Sequence, residues 1–352
     1  MNREFEVGNH WPRFVANGAY TTGSPTATAP TATSQRALLE AAAEGLRKIA
    51  TDVRCRAAFA APGSALQELL APAARRYVLA PDRAGFLGGI GALRAKGYRV
   101  TAEFTASDQD GDDPDRVEHT VTEYLALLAH GSAPDRLGFD LGQVGLSVSR
   151  GLALANTGRI AAAAALRGAE VVLGMDRSPG VDTVLSVHEE LSRRHPNLGV
   201  TLQAQLHRTE DDVVAVARPG RRVRLVKGAH PEARHIALGR GPALDDRFLH
   251  LARMLVDRGV RVSLATQDPA VLATAEETGL LARVSEIEML YGVQPELLRH
   301  HRDTGRPCRI YATYGTNWWL HLLQRLTEHP PMVLNALADI AQGTPPSPTT
   351  AY

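Results

Sequence analysis

The chain has 352 residues, of which 44% are hydrophobic and 22% charged, and its 39 basic and 38 acidic residues leave a formal charge of +1. That balance gives no reason to expect nucleic acid as a partner. The length suits one large α/β barrel with an extension as well as it suits two average domains. There is no run of about 18 apolar residues to span a bilayer, so any membrane association is expected to be peripheral only.

The polar stretch Met1 to Trp11 lacks the apolar segment of a secretory signal, and the two cysteines, Cys55 and Cys308, lie far apart in sequence. A reduced, cytoplasmic protein is therefore expected. Residues 18–34 are rich in Thr, Ala, Pro and Gly, and positions 1–34 are expected to be a disordered or loosely ordered leader. Over 35–85, apolar residues recur at three- and four-residue spacing, which predicts a helical extension. From Phe86 to position 341, helical segments of about 10–15 residues alternate with short β-rich runs. The runs are Tyr98 to Phe104, Leu137 to Leu146, Glu170 to Asp176, Leu198 to Arg208, Arg221 to His230, Val260 to Asp268, Val284 to Leu290 and Pro307 to Gly315. Eight parallel strands with intervening helices predict a (β/α)8 barrel of the TIM type. No GxGxxG turn follows the first strand, so an open dinucleotide-binding sheet is unsupported. The tail 342–352, QGTPPSPTTAY, is expected to be flexible.

Chemistry in such a barrel sits at the carboxyl ends of its strands. In order these ends carry Phe104, Asp140, Gly174, Gln203, Arg224 with Lys227, Thr266 with Gln267, Glu286 with Glu288, and Tyr311. A buried charge is costly unless it is paired or ligated, so Arg224 and Lys227 either serve a site or form ion pairs with Glu286 or Glu288 across the barrel. Trp318-Trp319 is expected to be a packing element. His300-His301 is expected to be a charged helix surface, and the run DQDGDD at 108–113 a solvated loop, because neither has metal-ligand spacing. No metal is expected.

Three segments, RLVKGAH at 224–230, EIEMLYG at 286–292 and RIYATYGT at 309–316, resemble in this order the proline dehydrogenase family, flavin enzymes that oxidise proline to its cyclic imine. The resemblance runs from about Arg76 to Ala338 and implies FAD as cofactor. It places Gln203, Arg224, Lys227, Gly228, Ala229, Thr266, Gln267 and Glu288 as cofactor contacts, with Gln267 where the family has a His. A cation near the flavin ring stabilises its reduced, anionic form, the role implied for Arg224 and Lys227.

The substrate half departs further. In LQRLTE at 323–328, Arg325 and Glu328 match the family's carboxylate clamp and its acidic neighbour, but Gln324 replaces an Arg. Leu290 and Tyr311 match ring-packing positions, and His230 and His321 stand where the family has Tyr. Asp140 replaces an active-site Lys, and Gly174 replaces the Asp that pairs with it. Over these altered and clamp positions the net charge changes from one positive to one negative. A small-molecule amine, amino acid or hydrazine-type substrate other than proline is therefore expected, with Asp140 as a partner for its ammonium or as a base; the sequence does not specify the electron acceptor. Three other readings stay open: an authentic proline dehydrogenase, a flavin- or ligand-binding barrel without catalysis, and a flavin-free lyase or hydrolase using Asp140, Glu286 and Glu288 as acid/base groups.

Overall fold

The computed structural model describes residues 32–61, 63–105, 113–328, 332–343 and 348–352. The expected leader up to residue 31, and most of the acidic loop before Asp113, lie outside them. By its contacts the chain separates into residues 1–38 and 39–352. Among the described residues four helices precede the first strand: α1 (Ala32–Thr51), α2 (Val53–Ala60), α3 (Ala65–Tyr77) and α4 (Arg83–Ala95). Then come β1 (Arg99–Phe104), α5 (Pro114–Ala129), β2 (Arg136–Phe139), α6 (Arg150–Leu166), β3 (Glu170–Leu173), α7 (Val181–Ser192), β4 (Leu198–Gln203), α8 (Thr209–Val216) and β5 (Arg222–Val226). The second half runs α9 (Pro242–Asp257), β6 (Arg261–Ala265), α10 (Pro269–Glu277), β7 (Glu286–Leu290), α11 (Pro295–Asp303), β8 (Cys308–Tyr314), α12 (Trp318–Glu328), α13 (Met332–Gln342) and α14 (Pro348–Ala351).

The eight strands form a closed parallel barrel in sequence order, as the alternating pattern predicts. β1 closes on β8 over the register Arg99↔Arg309 to Phe104↔Tyr314. Several strands stop earlier than their apolar runs suggest. β2 ends at Phe139 because the backbone turns at Asp140, whose N–H donates to Gln143 Oε1 at 3.0 Å. Helix starts follow local chemistry: Asp82 caps α4 by accepting from Gly85 N–H, and Asp268 caps α10 ahead of Pro269. In α4 the buried residues Phe86, Ile90 and Leu93 recur at helical spacing, one stripe facing the barrel wall.

The interior of a TIM barrel is generally filled with branched apolar side chains; here its lower part is ionic. Arg136 of β2, fully buried, pairs with Glu170 of β3 at 2.6 Å, with Glu286 of β7 at 2.7 Å and with Glu288 of β7 at 3.1 Å. Strands β2 and β7 are not neighbours in the sheet, so these contacts cross the barrel's hollow centre. Arg309 pairs with Glu286 at 3.0 Å and Arg222 with Glu170 at 3.3 Å, while Ser263 Oγ donates to Glu286 at 2.5 Å. Each carboxylate meets at least two cations, which offsets desolvation.

Helix α12 lies at the open end, held by α2 and α3: Trp319 stacks on Phe59 with ring centroids 4.5 Å apart, and Leu322 and Leu326 pack with Ala73, Ala74 and Tyr77. Trp319 thus packs as expected. The tail departs from its expected flexibility. Tyr352 is buried, its hydroxyl accepts from Gly292 N–H at 2.7 Å, and Lys96 Nζ donates to its carbonyl at 3.1 Å. One aromatic residue packed against Tyr98 and Tyr291 anchors a segment whose composition reads as disordered. His301 also departs from expectation, lying buried while His300 stays outside. Among the described residues no helix is long and apolar enough to cross a membrane.

Candidate active site

A cavity of ≈ 860 Å³ opens above the ionic floor, lined by the carboxyl ends of the strands and by α12. Arg224 stands where floor and cavity meet. Its Nε donates to Glu288 Oε1, and its guanidinium lies 4.6 Å from the Tyr311 ring centre. The other Glu288 oxygen accepts from Arg136, so this carboxylate is engaged from both sides and fixes Arg224 from beneath. Burial opposes the Arg224 charge, but the neighbouring Glu288, Tyr311 and Glu103 hold its pKa above the usual value. It is a permanent cation.

The β5 exit forms one wall. The Lys227 ammonium pairs with Asp245 of α9 at 2.5 Å and Asp268 of α10 at 2.7 Å, so its charge is compensated while its stem lines the cavity. At Gly228, φ is +120°, and a built Cβ would overlap the Gln205 amide, so only glycine fits. The Gly228 carbonyl accepts from Arg240, and the His230 carbonyl from Gln205 Nε2 at 2.8 Å. Ala229 and His230 follow along the cavity edge, with His230 Nε2 3.4 Å from the Met175 carbonyl. Gln203 donates to the Asp176 carbonyl at 2.8 Å. On the far side Thr266 Oγ1 accepts from Asp268 N–H at 3.2 Å, and Gln267 Oε1 from Leu290 N–H at 3.4 Å.

The opposite wall is acidic. Asp140 carries exposed surface that faces this cavity, and its carboxylate fills the space a side chain at residue 174 would take; a built Cβ on Gly174 overlaps it. Gly138 likewise leaves room for the Tyr311 hydroxyl. Beside that hydroxyl sits Glu103, a cavity-lining residue of β1. Enclosure in the barrel mouth pushes the Glu103 carboxyl up to about 7. The Asp140 charge adds to the rise, against Arg325, Arg224 and a hydrogen bond from Tyr311. Asp140 is raised too, first by enclosure and further by Asp176, against His230 and Arg224. Tyr311 is raised well above its usual value by burial and then by Glu103, so it stays a neutral donor.

From α12, His321 and Arg325 reach the cavity, four residues apart on one helix face. Burial and the neighbouring Arg325 hold His321 well below its usual pKa, so its imidazole is neutral. Gln324 and Glu328 belong to the same helix, but their side chains lie outside the described residues.

Sequence reading misses Glu103. It takes the last strand residue, Phe104, but strand alternation turns that ring outward against Tyr314 and Tyr124 and sends Glu103 inward. The one charge within VTAEF is the signal that could have found it. Glu286 corrects the lyase or hydrolase reading. Although burial opposes ionisation, Arg136, Arg309, Arg222 and Ser263 hold its carboxyl well below the usual range, and it lies in the floor rather than the cavity. A carboxylate held ionised in this way is no proton shuttle.

The proline dehydrogenase family profile matches residues 86–328, the span from α4 to the end of α12. The chain belongs to the proline dehydrogenase family. Proline dehydrogenase 1 of Bacillus subtilis is 26% identical over 265 residues, covering 73% of this chain and 87% of that protein. Proline dehydrogenase of Deinococcus radiodurans is 26% identical over 212 residues, covering 58% and 65%. Among solved structures, proline utilization A from Bdellovibrio bacteriovorus superposes with a TM-score of 0.65 at 18% identity, a likeness of fold. It covers 78% of this chain, which spans only 36% of that longer protein. As a member of the proline dehydrogenase family the chain is an oxidoreductase for which a flavin is the expected cofactor.

The cavity suits such a group on three counts. Its volume lies in the range of about 300–1,000 Å³ usual for small-molecule and cofactor sites. Two cationic side chains, Arg224 and Lys227, line it together with the side-chain-free Gly228. The buried Thr201 hydroxyl, which has no hydrogen-bond partner among the described residues, lines it and awaits one.

Proposed function

We propose that the protein is an FAD-dependent dehydrogenase or oxidase that removes hydride from a carbon or nitrogen next to the reacting nitrogen of an amine, amino acid or hydrazine-type substrate other than proline. The observation that carries this reading is Arg224, an enclosed and permanently charged guanidinium fixed at the cavity floor by Glu288. FAD, when bound, supplies the hydride acceptor. Arg224, Lys227, Gly228, Ala229, Gln203, Thr266 and Gln267 would hold it along the β4–β6 wall. A fixed cation on that wall stabilises negative charge that develops there without having to reorganise.

The remaining residues act on the substrate. Arg325 binds a carboxylate from above. Tyr311, Leu290, His230 and the neutral His321 bound the pocket, and Tyr311 is kept in place by Arg224 beneath it and by the gap at Gly138. Asp140 meets the substrate's ammonium or takes its proton. The departure from proline is supported by this acidic wall, which offers carboxylates at residues 103 and 140, whereas proline brings a single cationic nitrogen, the one that reacts.

Release of the flavin by heat, followed by chromatography, is expected to give FAD rather than FMN. Anaerobic mixing with a panel of amines and amino acids is expected to bleach the yellow protein with a member other than L-proline. Rapid bleaching by L-proline would return the chain to the activity its relatives are named for. A flavin that no amine bleaches would leave a binding protein, and a protein that stays colourless with FAD would remove the flavin reading.

A further inference from the structure

We propose that Glu103 and Asp140 form a subsite for a second, cationic nitrogen of the substrate, so that the enzyme takes an amino acid or cyclic amine bearing an ammonium group besides its reacting nitrogen. The proposal rests on the flavoenzyme reading and deepens it by naming the substrate's chemical class.

The argument is one of charge compensation. The other cavity acids are already matched: Glu288 by Arg224 and Arg136, and Asp245 and Asp268 by Lys227. Glu103 and Asp140 have no ion-pair partner within 4.0 Å among the described residues, although both line one mouth and the Asp140 charge adds to the cost of ionising Glu103. Arg224 acts on both from a distance, but neither carboxylate has a cation in direct contact, so a ligand that brings one is favoured. The chain even makes room for them. Gly174 leaves the space that Asp140 fills, and Gly138 admits the Tyr311 hydroxyl that lies against Glu103.

A second observation points to a polar ligand in the same cavity. Thr201, only 3% exposed, has a hydroxyl with no partner among the described residues; it pairs in register with Arg224 and follows the Val200–Leu173 pair at the end of β3. Among the described residues no group of three His, Cys, Asp or Glu side chains is placed to hold a metal. An ammonium, which needs only two or three acceptors and no fixed coordination number, therefore fits the pair better than a divalent ion. With Arg325 on the facing helix, the cavity is bipolar: carboxylate toward α12, cation toward the β1–β2 ends.

The test uses the flavin-loaded protein with cis- and trans-4-amino-L-proline, L-proline and the similarly sized 4-methyl-L-proline, the last two lacking a second ammonium. Dissociation constants are read from the perturbation of the flavin spectrum, and kcat/KM from anaerobic bleaching. One aminoproline epimer is expected to bind more tightly than both probes without the second ammonium. That preference should fall on the order of 10–100-fold in the Asp140→Asn, Glu103→Gln double variant and partly in each single variant. Should the double variant fail to hold flavin, the near-isosteric Asp140→Asn alone carries the comparison. Yellow wild-type protein that binds 4-aminoproline no better than proline, or a preference that survives Asp140→Asn, would overturn the subsite and leave the flavoenzyme reading standing. Protein that takes up no flavin would overturn both.

Discussion

The barrel holds two ionic regions within a few residues of each other, and they follow opposite rules. In the floor, Arg136, Arg222 and Arg309 interleave with Glu170, Glu286 and Glu288, and every carboxylate is shared. In the mouth, Glu103 and Asp140 have no ion pair among the described residues, and the Thr201 hydroxyl lining the same cavity has no hydrogen-bond partner among them. Residue type does not separate these regions, because both use carboxylates on the strands or at their ends. Compensation separates them. Where the chain balances its own charges, the charges hold the fold and set Arg224 in place; where it does not, the imbalance is available to a ligand.

Breaking the floor gives the largest effect. Arg136→Met keeps the length of the side chain but strands Glu170, Glu286 and Glu288 with weaker partners, a loss of about 3–5 kcal/mol in urea unfolding. Because Glu288 also grips Arg224, flavin affinity should fall along with stability. A loss below about 1 kcal/mol would mean that water already relieves the floor, and the contrast with the mouth would disappear.

How legible this was in the sequence depends on the residue. The barrel itself was readable because alternating helical and strand periods leave few other closed folds, and Arg224 and Lys227 stood out as paired cations at the end of an apolar strand. The glycine at 228 was readable only as part of a resemblance; its reason, the crowding by Gln205, is tertiary. Glu103 was missed because the strand's last residue, Phe104, was taken for its inward one, and Arg136 for a second geometric reason. A strand shows which residues share a face but not how high each stands in a sheared barrel, so floor and mouth look alike in sequence. Tyr352 was missed because composition averages over a segment, and one buried ring outweighs its small, proline-rich and polar neighbours.

The mouth should respond to pH in the opposite sense to a salt-bridged carboxylate. Glu103 has a folded pKa of about 7, above its ordinary value, so the folded state favours the proton. Its stabilising contribution is complete below about pH 4.5 and is lost as pH rises toward 7, because the unfolded chain ionises first. Glu103→Gln removes this dependence. The variant should match wild type near pH 4 and exceed it above pH 7, by on the order of 1–2 kcal/mol once cavity water is allowed for. Thermal melts of the flavin-free protein at the two pH values measure it. A variant less stable than wild type at pH 8 would show that Glu103 is satisfied after all and belongs with the floor.

The smallest effect draws the sharpest line. Thr201→Val removes a buried hydroxyl that has no partner, so the fold loses no hydrogen bond and sheds a desolvated polar group. Stability should stay level or rise by less than about 1 kcal/mol. If the hydroxyl waits for a ligand, the same change should weaken flavin or substrate binding, measured by spectral titration, by about five- to tenfold, the worth of one hydrogen bond. Stability and binding thus move apart at one residue. In the floor, by the same logic, they can only fall together, since each group there is held by the ones it holds.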